Sequence, residues 1–327
     1  MRRPDSQLPT AVHRHPATSI FDLRFAVGGL QCLSLAFLLG CASAKPPPPA
    51  PPAITAANRA AGQAAELSQR QNWPAAAREW KLAVDRFALL NDRAGEATAL
   101  HNLAQAQLEL GTLDQARRHL EQAASLNERT GRQEDWWGNQ IALLQLEARS
   151  GQTNALQTRF EKLTPMAGEI KNRSLQGLFL NERALWQQSR SDLASAAQTL
   201  QQAQEHFQAA NDRSGVAAVL ANRAQLYEAQ QNYAMAIETW RTALTRFESL
   251  ADPRGITRAL AGLGRSLLAA EKDLPAAEDM LRRATRNYRT LNSVKEAQAT
   301  LELLKKCLVA QGKDKEAEQV HSDFGAE

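Results

Sequence analysis

The sequence is short of cysteine, of aromatic residues, of charge of one sign and of long apolar runs, and each shortage narrows what the chain can be. Three cysteines occur in 327 residues: Cys32, Cys41 and Cys307. The first two lie in or at the end of an apolar N-terminal stretch, so the rest of the chain keeps a lone thiol. That excludes an internal disulfide there, and no Cys/His cluster has metal-ligand spacing. Basic residues number 39 and acidic residues 35, a formal net charge of +4. Half of that excess sits in the first forty residues, where Arg2, Arg3, Arg14 and Arg24 outnumber Asp5 and Asp22. The remaining charges are interspersed, as on a solvated surface, and form no phosphate-binding stripe. Nucleic acid is therefore not an expected partner. No phosphate-binding glycine loop, nucleophile elbow or His-Glu helix motif is present. His101, His119, His206 and His321 are scattered, and no carboxylate pair stands out for acid–base work. The expectation is a protein that is not an enzyme and uses no cofactor, metal or small-molecule substrate.

What the sequence does hold is helix-forming. Hydrophobic residues make up 43% but aromatics only 6%, with much Ala, Leu, Gln, Glu and Arg. That mixture suits helices packed closely through small side chains. The apolar run Phe25–Leu39 is preceded by Arg24 and interrupted only by Gln31 and Ser34. It is too short to span a bilayer comfortably but fits the core of a signal peptide. It ends in Leu38-Leu39-Gly40-Cys41-Ala42-Ser43, which resembles the lipobox of bacterial lipoproteins. The resemblance implies cleavage before Cys41 and acylation of its thiol and new amino group; the alternatives are a buried N-terminal helix or an uncleaved anchor. Ala42, where an Asp would retain a lipoprotein at the inner membrane, implies the periplasmic face of the outer membrane. Each buried acyl methylene contributes about 0.8 kcal/mol, so several chains anchor durably. The stretch Lys45-Pro46-Pro47-Pro48-Pro49-Ala50-Pro51-Pro52 follows. It reads either as an extended spacer of roughly 25–35 Å or as a plain linker of no tuned length. The expected organisation is a signal peptide over 1–40, a lipidated cysteine and proline-rich linker over 41–56, and a folded body over 57–327.

That body repeats. A small residue recurs at Ala76, Ala116, Ala196, Ala236, Ala277 and Ala317, with Leu156 in the same phase. The steps are 40 residues, with one of 41 between Ala236 and Ala277. Four residues later stand Trp80, Leu120, Phe160, Leu200, Trp240, Leu281 and finally His321. Such regularity means a solenoid, in which each helical pair buries its apolar face only against its neighbours. The segment Asn102-Leu103-Ala104-Gln105-Ala106-Gln107-Leu108-Glu109-Leu110-Gly111-Thr112-Leu113-Asp114-Gln115-Ala116 resembles a tetratricopeptide repeat (TPR) running through its inter-helix turn. Gly262-Leu263-Gly264-Arg265-Ser266-Leu267-Leu268, followed by Leu274-Pro275-Ala276-Ala277, resembles it too. The resemblance implies an all-α, right-handed superhelical solenoid of about seven helix-turn-helix repeats, with a concave groove lined by the first helix of each. With about seven or eight units to a superhelical turn in the family, seven units would make a short superhelix around that groove. The usual period is 34; the extra residues are expected to lengthen the second helix and the junction. At those junctions Asp92, Asp212 and Asp252 cap the next helix, while Gly95, Gly215 and Gly255 let the chain turn. Repeats three and four read as degenerate, and repeat seven as a polar cap.

Three groups of residues are candidates for a partner-binding groove. Asn102 and Asn222 share the phase at which peptide-binding members of the family hydrogen-bond a ligand backbone. Arg223 and Arg183 stand where Leu103, Leu143 and Leu263 pack elsewhere; each guanidinium either pairs with a carboxylate or turns to an acidic ligand. Arg258 occupies the place of a carboxylate-clamp Lys and Arg265 lies seven residues along, though Gly262 takes the clamp's second basic position. Trp136 and Trp137 are adjacent, so the two rings face different ways, and the ring surplus to the repeat is either a partner-binding anchor or core filling in a degenerate repeat. The implied function is a lipid-anchored periplasmic scaffold or assembly factor for other envelope proteins. The alternative is a regulatory subunit that activates a cell-wall enzyme.

Overall fold

A computed structural model of the chain describes residues 51–325, and the side chains of 51–320. Cys41, the apolar leader and most of the proline segment lie outside the described residues. Fourteen α-helices follow one another in seven pairs. They are α1 (Pro52–Gln69) and α2 (Trp73–Leu89); α3 (Arg93–Glu109) and α4 (Leu113–Arg129); α5 (Gln133–Arg149) and α6 (Thr153–Leu163). Then come α7 (Arg173–Ser189) and α8 (Leu193–Ala209); α9 (Arg213–Ala229) and α10 (Tyr233–Ser249); α11 (Pro253–Ala269) and α12 (Leu274–Thr290); α13 (Val294–Ala310) and α14 (Asp314–Gly325). No strand occurs among the described residues. The first helix takes in residues 52–56, which the sequence assigned to the linker. Proline fits the first turn because its missing N–H would have no partner there.

The period has a simple origin. Most helices are 17 residues long and most turns three, so both helices of a unit are equal. The extra length over 34 is thus not confined to the second helix, as the sequence suggested. Each turn places one residue in the left-handed region, at Gln71, Asn91, Gly111, Gly131, Gly151, Ser191, Asn211, Gln231, Ala251, Glu271, Asn292 and Gly312. Around Asn91, for example, its N–H bonds Ala88 C=O at 3.0 Å and Asp92 N–H bonds Phe87 C=O at 3.0 Å. These bonds satisfy carbonyls that the helix end leaves open. The one step of 41 is the α11–α12 turn, which holds a second left-handed residue, Asp273. Side chains of Asn72, Asp92, Asp192, Asp212, Asn232, Asp252 and Asp273 accept from amides of the helices they precede.

The junction glycines have a different task from the one expected. Gly95, Gly215 and Gly255 lie inside helices and none has a positive φ. A Cβ on them would sit 2.5, 2.2 and 2.1 Å from Cδ1 of Phe87, Phe207 and Phe247 respectively. They are small so that the ring ending the preceding helix can lie on the next backbone.

The small-residue phase is where the sequence put it. Ala76, Ala116, Ala196, Ala236 and Ala277 are fully buried, and Trp80, Leu120, Phe160, Leu200, Trp240 and Leu281 pack above them. The irregularity belongs to repeat three alone. Pro165 removes a helical N–H, so α6 stops after 11 residues and gives way to a 3-10 helix, Thr164–Glu169. Repeat four, expected to be degenerate, has two regular 17-residue helices.

Trp136 and Trp137 follow the core-filling alternative and are not surface anchors. Both are buried, at 7% and 1% exposure, and both belong to one aromatic cluster with Phe160 and Phe179. The short α6 leaves room on two sides of α5, so adjacent residues can share one core. The coil also brings distant units together. Arg254, at the start of α11, donates to Glu109 at the end of α3, and its guanidinium lies 5.9 Å from the Trp73 ring of α2. Repeat six thus meets repeats one and two.

Candidate functional site

The concave side of repeats three to six carries a continuous polar track built by the first helix of each unit. On α5, Gln145 donates to Glu182 of α7 at 3.1 Å. Next to Glu182, Asn181 accepts from Asn222 Nδ2 of α9 at 2.6 Å. The other end of that carboxamide accepts from Arg258 Nη2 of α11, also at 2.6 Å. The same nitrogen reaches Gln225 Oε1 at 2.8 Å, and Gln188 donates to the Gln225 carbonyl at 3.4 Å. One turn on, Glu228 takes a bidentate ion pair from Arg265, at 3.1 Å from Nε and 2.7 Å from Nη2. Its second oxygen accepts from Trp240 and Ser266.

Burial sets the electrostatics. Asn181 and Asn222 are fully buried and Glu182 is 4% exposed. Removal from water pushes the Glu182 carboxyl up to about 7, against the pull of the Gln145 hydrogen bond and the Arg258 charge. Burial also lowers the Arg258 guanidinium to about 10, which leaves it protonated at neutral pH. The track therefore offers amides, a carboxyl near its midpoint at neutral pH, and guanidiniums already held by acceptors. These groups are bonded to one another across neighbouring first helices. No group of three His, Cys, Asp or Glu among the described residues could hold a metal ion.

Paired helices with a polar concave ladder invite comparison with known solenoids. Models of the tetratricopeptide repeat match residues 97–130 and 215–290, which hold repeat two and most of repeats five and six. The chain is a tetratricopeptide-repeat protein. Solved structures agree on the fold. A Rap protein complexed with competence and sporulation factor superposes with a TM-score of 0.59 at 13% identity, covering 81% of this chain and 77% of that one. The apo form of RapI gives 0.54 at 13% identity, over 80% of this chain and 99% of that one. The Pyrococcus horikoshii signal transduction ATPase with a tetratricopeptide repeat sensor gives 0.56 at 18% identity. There this chain, 83% covered, spans only 41% of the larger protein. No curated protein sequence gives a significant match.

Within this tetratricopeptide solenoid, Asn222, Arg258 and Arg265 come together on the concave track, joined to Asn181, Gln225 and Glu228. Arg223 sits beside it, its guanidinium held by Gln204 Oε1 of α8 at 2.7 Å and Tyr227 Oη at 3.4 Å. It thus finds an amide and a phenol in place of the carboxylate that the sequence suggested. Arg183, half-buried on α7, makes no ion pair or side-chain hydrogen bond among the described residues. Gly262 has no side chain because the Trp240 indole fills that space: a Cβ there would lie 2.2 Å from Trp240 Cε2. Asn102 lies in repeat two and takes no part in the track, and Trp136 and Trp137 are withdrawn into the core. Glu182, Gln145, Gln225 and Glu228 were missed in the sequence, although a signal existed. Stepping 40 residues back from Asn222 reaches Glu182, and stepping back from Arg265 reaches Gln225. Solvated charge and groove charge look alike until helix faces are assigned.

Proposed function

We propose that the protein is a lipid-anchored periplasmic scaffold whose concave track takes an extended segment of an envelope protein. The observation that carries the reading is the amide-rich ladder in which Gln145 bonds Glu182, its neighbour Asn181 bonds Asn222, and Arg258 joins Asn222 to Gln225. Side-chain amides can donate and accept, as an extended peptide backbone requires. The tetratricopeptide fold itself serves protein–protein interaction, and the reading takes it as non-catalytic. The Rap relative was solved with competence and sporulation factor, which supports a protein-type ligand here. No helix among the described residues is long and apolar enough to cross a membrane, and the anchoring rests on the lipobox-like sequence ending at Cys41.

Two experiments test the two halves of the proposal. Cells labelled with an alkyne fatty acid should load the wild-type chain and not the Cys41→Ser variant; equal incorporation refutes the lipid anchor. Crosslinking in living cells followed by mass spectrometry should capture envelope proteins, and the captured set should shrink for Asn222→Ala. An unchanged set moves the binding surface off the track.

A further inference from the structure

We propose that the solenoid is a hinged pair of arms, repeats one to three and four to seven, held closed by a latch at Arg254. The latch is visible in the contacts. Arg254 Nη1 donates to Glu109 Oε2 across 145 residues of sequence, with the two side chains 16% and 19% exposed. The same guanidinium lies 5.9 Å from the Trp73 ring centroid. Arg254 begins α11 in one arm, while Glu109 and Trp73 belong to α3 and α2 in the other.

The hinge lies at the irregular unit. Elsewhere each second helix approaches the next first helix closely, through alanines and junction glycines. At repeat three α6 is short, a 3-10 helix replaces its end, and α7 docks its backbone on α5 instead. Rings join α6 to α7, together with Leu163, Ile170 and Leu175 of the same cluster. Phe160 stacks on Trp186 with centroids 4.9 Å apart and tilts against Phe179 at 6.0 Å. Trp137 meets Phe179 edge-on at 5.8 Å. This junction is held by side chains alone, without the close backbone approach that the other units make.

Opening leaves no stranded carboxylate, because Arg149, on Glu109's own arm, already lies 3.9 Å from Glu109 Oε1. The consequence would be access to the concave track at the hinge, where Gln145 of one arm donates to Glu182 of the other. That consequence rests on the proposed scaffold function; the latch itself does not. A partner that presents a carboxylate to Arg254, or a cation to Glu109, would compete for the latch and open the coil.

The test is a distance measured on the full chain without any partner. Spin labels are placed at the exposed positions Asp114 and Glu248, one on each arm close to the latch, and read by pulsed electron paramagnetic resonance. At low salt the unmodified latch should give a single short distance. Arg254→Ala and, from the other arm, Glu109→Gln should each raise the ratio of long to short distances by about tenfold or more, the loss expected for a charge-assisted hydrogen bond. Raising salt to about 1 M, where screening acts within a few ångströms, should lengthen the distance without any substitution. One unchanged distribution across the salt series and in whichever of the two variants melts like wild type overturns the latch. Because no partner is present, that outcome leaves the scaffold proposal standing, and failed crosslinking leaves the latch standing.

Discussion

Glu182 makes the protein's stability respond to pH in a direction opposite to that of an ordinary surface carboxylate. In the unfolded chain its carboxyl titrates near 4.5, and burial in the folded chain holds it up to about 7. The folded state therefore binds this proton more tightly than the unfolded state does. The resulting stability is fully present below pH 4.5 and is lost as pH rises through 7. At about 1.36 kcal/mol per pH unit, a gap of roughly two and a half units amounts to about 3 kcal/mol. Glu182→Gln keeps an oxygen to accept from Gln145 and carries no charge, so its stability should lack this dependence. The assay is the difference in urea unfolding between variant and parent at pH 5, 6, 7 and 8. His101 complicates either profile alone. Burial lowers it to about 4, so its contribution is lost as pH falls from 6.5 toward 4. It is common to both proteins and cancels in the difference. The variant should gain on the parent by about 2.5 kcal/mol between pH 5 and 8, most of it before pH 7. Parallel pH profiles would refute the claim that this carboxyl is buried beside Arg258 without a full ion pair.

Two further substitutions test the repeat itself. Ala236→Leu and Ala116→Leu place a branched side chain where alanine is fully buried, and each should cost about 1–3 kcal/mol by overpacking; variants that melt with the parent would show that the helix pairs are not packed through these positions. Ala251 adopts φ 49° between α10 and α11, a left-handed conformation that costs a side chain about 1–2 kcal/mol. Ala251→Gly should therefore raise the thermal midpoint by a few degrees, and a lower midpoint would contradict the turn geometry.

The fold was legible because its information is local and repeated. Alanines 40 residues apart, a capping Asp or Asn before most helices, and Gly or Asn at many left-handed positions each act within one unit or between neighbours. Twenty-residue spacing of the turn residues already encodes equal helices, although Gln231, Ala251 and Glu271 hide it by standing where glycine is easier. The candidate site was half legible. Asn222, Arg258 and Arg265 could be placed on one face by period, but which groups they bond could not. Arg265 is taken by Glu228 and Arg258 by Asn222 and Gln225, since neighbouring first helices come close enough for side chains to meet. The sequence by itself determined seven helical pairs, their phase and their caps. Only the tertiary structure decided how tightly they coil. Curvature accumulates from small rotations at every unit, and the contact between Arg254 and Glu109 depends on all the units between them. No local pattern can announce a meeting of residues 145 positions apart, nor the burial of Glu182 among Gln145, Asn181 and Arg258.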